Sequence, residues 1–286
     1  METTKKAGHS PELERLRGLH AALVDGMDGK LVTAPINFQE PGKRVLDSGT
    51  ADGMVPPLLH KIYVLILLSG IWLRDVRKTV PKGEEHVYFG SDIESELFPS
   101  EPDGITYFGH SFKDPWPVEY RDSMDLVHVR GSLAASSPSP TEVVKNLVSL
   151  VKPGGWVQLM EMNAFSPPEN GPAMTDFARM ARDVWTAINV GDFANNLKSL
   201  LEEAGLQNVQ ERRYVVNIGK AAKPELQGPS ALGVSGPVGP IASVAKSVQT
   251  SFTEEELTAL PARVKEELVN QGGRIEEIVA WGQRVR

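Results

Sequence analysis

The chain has 286 residues and a formal net charge of −7 at pH 7. Because Lys and Arg are not in excess, this charge disfavours binding to nucleic acid or to anionic membranes. The chain has no cysteine, which excludes disulfides and thiolate chemistry, and its six histidines are scattered, so we expect no metal site. The first ten residues have no apolar segment typical of a secretory signal, which predicts a cytoplasmic protein.

Strand and helix patterns alternate along the chain, which predicts an α/β fold with a mostly parallel sheet and helices on both faces. Ser10-Pro11 and two nearby acids are typical of a first helix, whose apolar stripe is Leu13, Leu16, His20, Leu23 and Met27. Short apolar strands are predicted at Arg44–Asp47, His86–Ser91, Ile105–Phe108, Met124–Val129, Trp156–Met160, Val209–Val216 and Ile278–Trp281. Helices are predicted at Ile71–Lys78, Thr141–Val151, Met174–Ile188, Phe193–Ala204 and Thr253–Asn270.

The segment Lys220–Ser251 is rich in Gly, Pro, Ser and Ala and has weak periodicity. We interpret it as a long connection or a mobile cap that carries substrate selectivity, since irregular segments over an α/β sheet often form lids. The expected organisation is a helical extension over residues 1–40, a core over 41–219, and a cap, helix and final strand over 220–286 that complete the same domain.

A glycine-rich turn follows the first predicted strand, in the segment Val45-Leu46-Asp47-Ser48-Gly49-Thr50-Ala51-Asp52-Gly53. Small residues at such a turn let a nucleotide approach the backbone, with the amides of the next helix facing it. The turn lacks the G-x-G-x-x-G spacing, so by itself it is equally typical of a tight strand-to-helix connection. Asp92, at the end of the second strand, adds a carboxylate suited to ribose hydroxyls.

Four segments occur in order: Val45–Gly53, Gly90–Ile93, Met124–Arg130 and Leu150–Trp156. Together they resemble the motifs of class I S-adenosylmethionine-dependent methyltransferases, most closely the LaeA-like branch of fungal secondary metabolism. The resemblance covers roughly residues 12–286. It implies a Rossmann-like, seven-stranded, mostly parallel sheet with an antiparallel last strand, and S-adenosyl-L-methionine as the cofactor.

The resemblance also assigns site residues. Asp47, Gly49 and Gly53 would surround the methionine part of the cofactor, Asp92 would hold the ribose, and Ser111 and Phe112 would flank the adenine. The family often has an acid beside the adenine, where this chain has His110-Ser111-Phe112. The full predicted cofactor set is Asp47, Ser48, Gly49, Thr50, Gly53, Asp92, Ile93, Ser111, Phe112 and Val129.

Methyl transfer requires an aligned acceptor, with proton removal as an additional contribution. His128 and Arg130, at the end of the fourth strand, and Glu161, after the fifth, are the candidate catalytic residues, although a histidine at a strand end is often structural. Trp116 and Trp185 are candidates for an acceptor pocket or for the core. No metal is required, and the expected partner is a small-molecule methyl acceptor. The sequence predicts no oligomeric state.

The segment Met54–Gly70 separates the turn from the predicted helix at Ile71. Its removal would join Gly53 to Ile71 and bring Asp92 close to the expected distance of roughly 20 residues from the loop. We interpret it as an in-frame insertion, most simply a retained intron. Its apolar run Ile62–Leu68 is far shorter than the about 18 residues of a membrane span. If it is translated, Pro56-Pro57 and this run predict weak cofactor binding.

Two hypotheses follow. The first is an enzyme that methylates oxygen or nitrogen of a small secondary metabolite. The second is a non-methylating protein on the same scaffold, either a LaeA-like regulator or a pericyclase. An NAD-dependent oxidoreductase is disfavoured, because the turn lacks G-x-G-x-x-G and no Tyr-x-x-x-Lys pair occurs.

Overall fold

The computed structural model describes residues 11–49, 70–93, 98 and 103–285. The predicted insertion therefore lies outside the described residues, except for Gly70. The same is true of two predicted cofactor contacts, Thr50 and Gly53, and of Ser10 at the predicted start of the first helix.

The described residues form one seven-stranded sheet with the order β3-β2-β1-β4-β5-β7-β6. Strands β1 to β5 pair in parallel, and β7 runs antiparallel to both of its neighbours. The strands are β1 Arg44–Ser48, β2 Val87–Asp92, β3 Ile105–Gly109, β4 Met124–Arg130, β5 Val151–Met162, β6 Gln207–Ile218 and β7 Gly273–Gln283. This topology confirms the predicted Rossmann-like sheet with an antiparallel last strand.

The helices of the described chain are α1 Pro11–Gly26, α2 Ile71–Thr79, α3 Pro140–Val148, α4 Pro172–Ala187, α5 Leu197–Glu203, α6 Gln227–Ser235, α7 Val238–Ala245 and α8 Glu254–Asn270. Helix α8 begins with a capping box, in which the Thr253 side chain accepts from the Glu256 amide and the Glu256 side chain accepts from the Thr253 amide. The predicted ends of two helices were wrong. Val151 begins β5 opposite Met124, and α5 starts only at Leu197, after a turn that contains Phe193.

The segment predicted as an irregular connection, Lys220–Ser251, contains helices α6 and α7 and several buried side chains, including Val234, Val238 and Ile241. These helices pack against α1, α4 and α8. Helix α6 approaches α1 so closely that a Cβ atom on Gly233 would lie 2.8 Å from the Leu19 Cβ. The periodicity was weak because Gly, Ala and Pro supply much of this packing surface without producing an apolar stripe.

Strand β4 lies at the centre of the sheet, and all seven of its residues are buried. The strand order reverses between β1 and β4, so connections leave the two strands toward opposite sides. In open α/β sheets a crevice forms at the carboxyl ends of the strands at such a switch point. The functional site is therefore expected beyond Ser48 and Arg130, the last residues of β1 and β4.

Candidate functional site

The ends of β1 and β2 hold the described part of the glycine-rich turn. Asp47 pairs with Gly90 and Ser48 with Ser91 along the two strands. The Ser91 hydroxyl donates a hydrogen bond to the Ser48 Oγ at 3.1 Å, and the Gly49 amide donates to the Ser91 carbonyl at 3.2 Å. These contacts fix the start of the turn against the neighbouring strand.

Asp92 ends β2 with its side chain buried, and its carbonyl accepts a hydrogen bond from the His110 amide at 3.0 Å. This contact brings the segment after β3 beside the end of β2. The Ser111 Oγ accepts from the Lys113 amide at 3.2 Å. The Phe112 side chain is fully buried in the core, so among the predicted adenine contacts only the Ser111 side chain and the main chain remain at the surface of the crevice.

The polar groups at these strand ends fit S-adenosyl-L-methionine. Asp47 and Asp92 place carboxylates, not cations, at the ends of β1 and β2, which suits a cofactor that has a sulfonium charge and no phosphate. His110 follows β3, and its Nε2 atom is buried without a hydrogen-bond partner in the described structure. An unpaired polar atom near the expected adenine position is consistent with a nucleoside ligand.

His128, a predicted catalytic residue, is fully buried in β4. Its Nδ1 atom lies 2.9 Å from Asp47 Oδ1, and its ring stacks on Trp72 with the centroids 3.8 Å apart. Burial lowers the pKa of His128, with Asp47 opposing this shift. We therefore assign a neutral imidazole that donates from Nδ1 to Asp47. Its contacts position Asp47, and His128 is not among the residues that line the cavity described below.

Arg130, the second predicted catalytic residue, belongs to a chain of polar contacts. Its Nη2 atom lies 3.1 Å from His20 Nδ1, and His20 Nε2 lies 2.9 Å from Asp75 Oδ2. Burial lowers the pKa of Arg130 to about 10, while the charges of Asp47, Glu277 and Asp75 oppose this shift. The sequence placed His20 only in the apolar stripe of α1, so this contact was missed. A histidine within such a stripe was the available signal.

Glu161, the third predicted catalytic residue, is buried in β5. Its Oε1 atom accepts hydrogen bonds from the amides of Ser132 at 2.9 Å and Leu133 at 2.8 Å. The pKa of Glu161 is raised to about 8, mainly by burial and also by the neighbouring Glu277, against the hydrogen bonds from the two amides. Glu161 therefore holds the loop that follows β4.

Glu277 was not predicted. It lies in β7 opposite Met162 and is buried, and burial raises its pKa to about 8 against the opposing charge of Arg130. No described residue donates a hydrogen bond to its carboxylate. The signal in the sequence was the alternation Ile275, Glu277, Val279, in which an acid takes an inward position of an apolar strand.

A cavity of about 110 Å³, here called the β4 cavity, lies beyond the end of β4. It brings together two predicted catalytic residues, Arg130 and Glu161, with Glu277. Trp185, a predicted pocket residue, also lines it, whereas Trp116 packs against Phe108 and His110. The other walls come from α1, α4, the turn before α5, α6 and α7 with the preceding Pro237, and they include Leu19, Leu23, Phe177, Phe193, Val234 and Ile241.

Within residues 11–49, 70–93, 98 and 103–285, no cluster of three His, Asp or Glu side chains has the geometry of a metal site. In the same part of the chain, no helix is long and apolar enough to cross a membrane.

Comparison with known proteins gives concordant matches. A family model described as a methyltransferase domain matches residues 25–211. The methyltransferase psoC of Aspergillus fumigatus is 60% identical over 287 aligned residues, which cover 99% of this chain and 98% of the relative. The N-methyltransferase tcpN of Claviceps purpurea is 30% identical, with coverage of 99% and 98%. The N-methyltransferase sirN of Leptosphaeria maculans is 31% identical, with coverage of 96% and 92%.

Solved structures share the fold at low sequence identity. A chain from the Haloferax volcanii complex of the Trm112 methyltransferase activator with a methyltransferase matches with a TM-score of 0.52 and 15% identity, over 96% of both chains.

Proposed function

The chain belongs to the S-adenosylmethionine-dependent methyltransferases, in a group with relatives in fungal secondary metabolism, and from this premise we propose that it methylates an oxygen or nitrogen atom of a small secondary metabolite. The observation that carries this proposal is the β4 cavity, which combines an apolar wall with four buried ionisable side chains, those of Arg15, Arg130, Glu161 and Glu277. Pockets of this composition bind small organic molecules. Relatives named as N-methyltransferases support nitrogen as one of the two acceptor atoms.

When bound, S-adenosyl-L-methionine supplies a methyl group on a positively charged sulfonium. On the cofactor side we assign the ribose to Asp92 and the methionine part to Asp47, Ser48 and Gly49. Asp47 takes one orientation because His128 donates to it and Trp72 stacks on His128. Ile93, Ser111 and the main chain of Phe112 and Val129 complete the described part of this proposed site.

On the acceptor side, the loop Gly131–Leu133 borders the β4 cavity, and Glu161 fixes this loop through two main-chain amides. Since one oxygen of that carboxyl group already accepts from both amides, the proposed role of Glu161 is to position the loop, and we assign contact with the acceptor to Arg130. Alignment of acceptor and methyl donor is the main requirement of this displacement.

We assign acceptor selectivity to α1, α6 and α7, because they form the wall of the β4 cavity opposite the sheet. Residues 220–251 then act as a packed cap, which together with α8 and β7 completes the domain of residues 41–219. Exchange of cavity residues from these helices, such as Leu23 or Ile241, is expected to change which metabolite is used, with little effect on cofactor binding.

The test is transfer of a labelled methyl group to metabolites made by enzymes encoded beside this gene. A methylated product supports the proposal, and its structure distinguishes oxygen from nitrogen. Glu142→Gln, on the exposed surface of α3, is the matched control for substitutions in the cavity. Cofactor binding without methylation of any such metabolite would contradict the proposal and favour the non-methylating alternative.

A further inference from the structure

Arg130 has a hydrogen-bond donor that the protein does not use. Its Nη2 atom is engaged with His20, but its Nε atom is buried and has no partner in the described structure. A buried N–H group without an acceptor destabilises a structure because it has lost its hydrogen bonds to water. Because Arg130 lines the β4 cavity, a ligand in that cavity is the natural source of the missing acceptor.

Glu277 lines the same cavity, and its carboxyl group lacks a hydrogen-bond donor among the described residues. That carboxyl group is buried. Glu161, the other acid of the cavity, differs because one of its oxygens accepts from two amides. Glu277 is therefore the acid of the cavity whose carboxyl group has both oxygens left for a ligand.

Arg130 opposes the rise in the pKa of Glu277, but the two side chains form no ion pair in the described structure. Because burial raises that pKa to about 8, Glu277 is a neutral acid at neutral pH, and its carbonyl oxygen can still accept a polar hydrogen. One molecule placed between the Arg130 donor and the Glu277 acceptor can form a hydrogen bond with each of them. Such a molecule needs an acceptor oxygen for Arg130 and a polar hydrogen for Glu277. Arg15 also lines the cavity, where its Nη1 atom donates to the Gly233 carbonyl at 3.1 Å. The remaining surface is mainly apolar and aromatic, and Phe177, Trp185 and Phe193 contribute to it.

We propose that the β4 cavity recognises a neutral metabolite with an N–H or O–H group next to a carbonyl, in which the carbonyl oxygen accepts from Arg130 Nε and the polar hydrogen is donated to Glu277. This assignment rests on the proposed function and specifies its acceptor. An aromatic or other apolar substituent next to the polar pair fills the cavity against Trp185. Glu277 thus becomes a substrate-binding residue of the site.

Binding of small probes to the full chain tests this proposal without methyl transfer. The probes are N-benzylacetamide, which carries an N–H, and 2-hydroxyacetophenone, which carries an O–H. Each is compared with its methylated analogue, N-benzyl-N-methylacetamide or 2-methoxyacetophenone, by ligand-observed NMR titration. We expect at least one donor-bearing probe to bind about fivefold or more tightly than its analogue, and the two arms distinguish nitrogen from oxygen donors.

Variants separate hydrogen bonding from steric exclusion of the added methyl group. Glu277→Leu removes the carboxyl group with little change in volume, and we expect it to abolish the preference. Arg130→Met should weaken both members of each pair, since all four probes carry the carbonyl. Glu142→Gln serves as the surface control. A preference that persists in Glu277→Leu, or the absence of any preference in the unmodified chain, overturns the proposal.

Cofactor affinity, measured by calorimetry on the same variants, shows whether each is folded. Because the probe preference does not depend on turnover, a failure of methyl transfer with an intact preference would count against the proposed function and not against this assignment.

Discussion

The imidazole of His128 stacks on the indole of Trp72 with their planes only 4° from parallel. Trp72 belongs to the first turn of α2, and its Nε1 atom donates to the Leu31 carbonyl at 3.1 Å. The stack therefore fixes α2 to the centre of the sheet. The same imidazole contacts Asp47 through its Nδ1 atom. The same side chain thus contributes to packing and to the orientation of Asp47, the proposed cofactor ligand.

His128→Phe and His128→Ala separate these two contributions. Phenylalanine can keep the stack on Trp72 but cannot donate to Asp47, so we expect a loss of about 1–2 kcal/mol in unfolding free energy and a fall of roughly tenfold in cofactor affinity. Alanine also leaves a cavity and should cost about 3 kcal/mol or more. Denaturant titration and calorimetry measure the two effects. Unchanged cofactor affinity in His128→Phe would refute the positioning role.

Much of the fold could be predicted from the sequence, because its strands are short apolar runs separated by helices with clear periodicity. The antiparallel last strand was predicted from the resemblance of the four ordered motifs to class I methyltransferases. The cap could not be predicted in the same way. Helices α6 and α7 pack through small residues such as Gly233 and Ala245, which give no apolar stripe, and three prolines obscure the helical pattern.

The site was predicted only in part, because motifs identify residues near the cofactor and say little about contacts between distant segments. Arg130 and Glu161 were found at strand ends, and both line the cavity. His20 and Glu277 come from opposite ends of the chain and reach the site only through the packing of α1 and the insertion of β7 into the sheet. No local spacing connects them with Arg130.

Asp75→Asn tests whether His20 positions Arg130. Asp75 is partly exposed, so its replacement should change the unfolding free energy by less than about 1 kcal/mol. The amide of asparagine can present its NH₂ group to His20, so the imidazole is no longer held in one tautomer. Arg130, which contacts the other ring nitrogen of His20, then loses its fixed orientation. We expect kcat/KM for the methyl acceptor to fall about threefold to tenfold, with cofactor affinity unchanged. Glu84→Gln, which removes an exposed carboxylate paired with Arg77, is the control and should leave both quantities unaltered.

Glu277→Gln should alter how stability depends on pH. Burial raises the pKa of Glu277 to about 8 from its ordinary value of 4.5, so between these two values the folded protein binds a proton that the unfolded chain has released. The contribution of this bound proton to the free energy of unfolding is therefore complete below about pH 4.5. It is lost as pH rises toward 8, by up to about 1.4 kcal/mol per pH unit. Glutamine imitates the protonated acid.

The melting temperature of Glu277→Gln relative to the unmodified chain should therefore increase steadily from pH 5 to pH 8. Arg15, Arg130 and Glu161 face the same cavity and are present in both proteins. Because the Glu277 charge raises the pKa of Glu161, its removal lowers that pKa, and this increases the difference in the same direction. A difference that stays constant over this range would show that Glu277 does not hold a proton in the folded state.

Gly233→Ala tests the close packing of α6 on α1. A Cβ atom at this position would lie 2.9 Å from the Leu19 main-chain nitrogen, and a backbone atom can move away only with its helix. We expect a loss of about 1–3 kcal/mol in unfolding free energy, although alanine favours a helix more than glycine does. The neighbouring Leu232 is 40% exposed, and Leu232→Ala should cost less than about 1 kcal/mol. Equal stability of the two variants would contradict the packing argument.

Removal of residues 54–70 should strengthen cofactor binding. Gly70, directly before α2, has φ 71°, and a Cβ atom there would collide with the Tyr107 hydroxyl. The shortened chain places Gly53 at this position, so the glycine that α2 requires is retained, and the glycine-rich turn leads directly into the helix without Pro56-Pro57. We expect calorimetry to show at least about tenfold higher affinity for S-adenosyl-L-methionine than in the full chain.

A matched variant, the same deletion with Gly53→Ala, should lose this gain because alanine reintroduces the clash. Equal affinity of the full and shortened chains would contradict the prediction, and transcripts that uniformly contain codons 54–70 would exclude a retained intron.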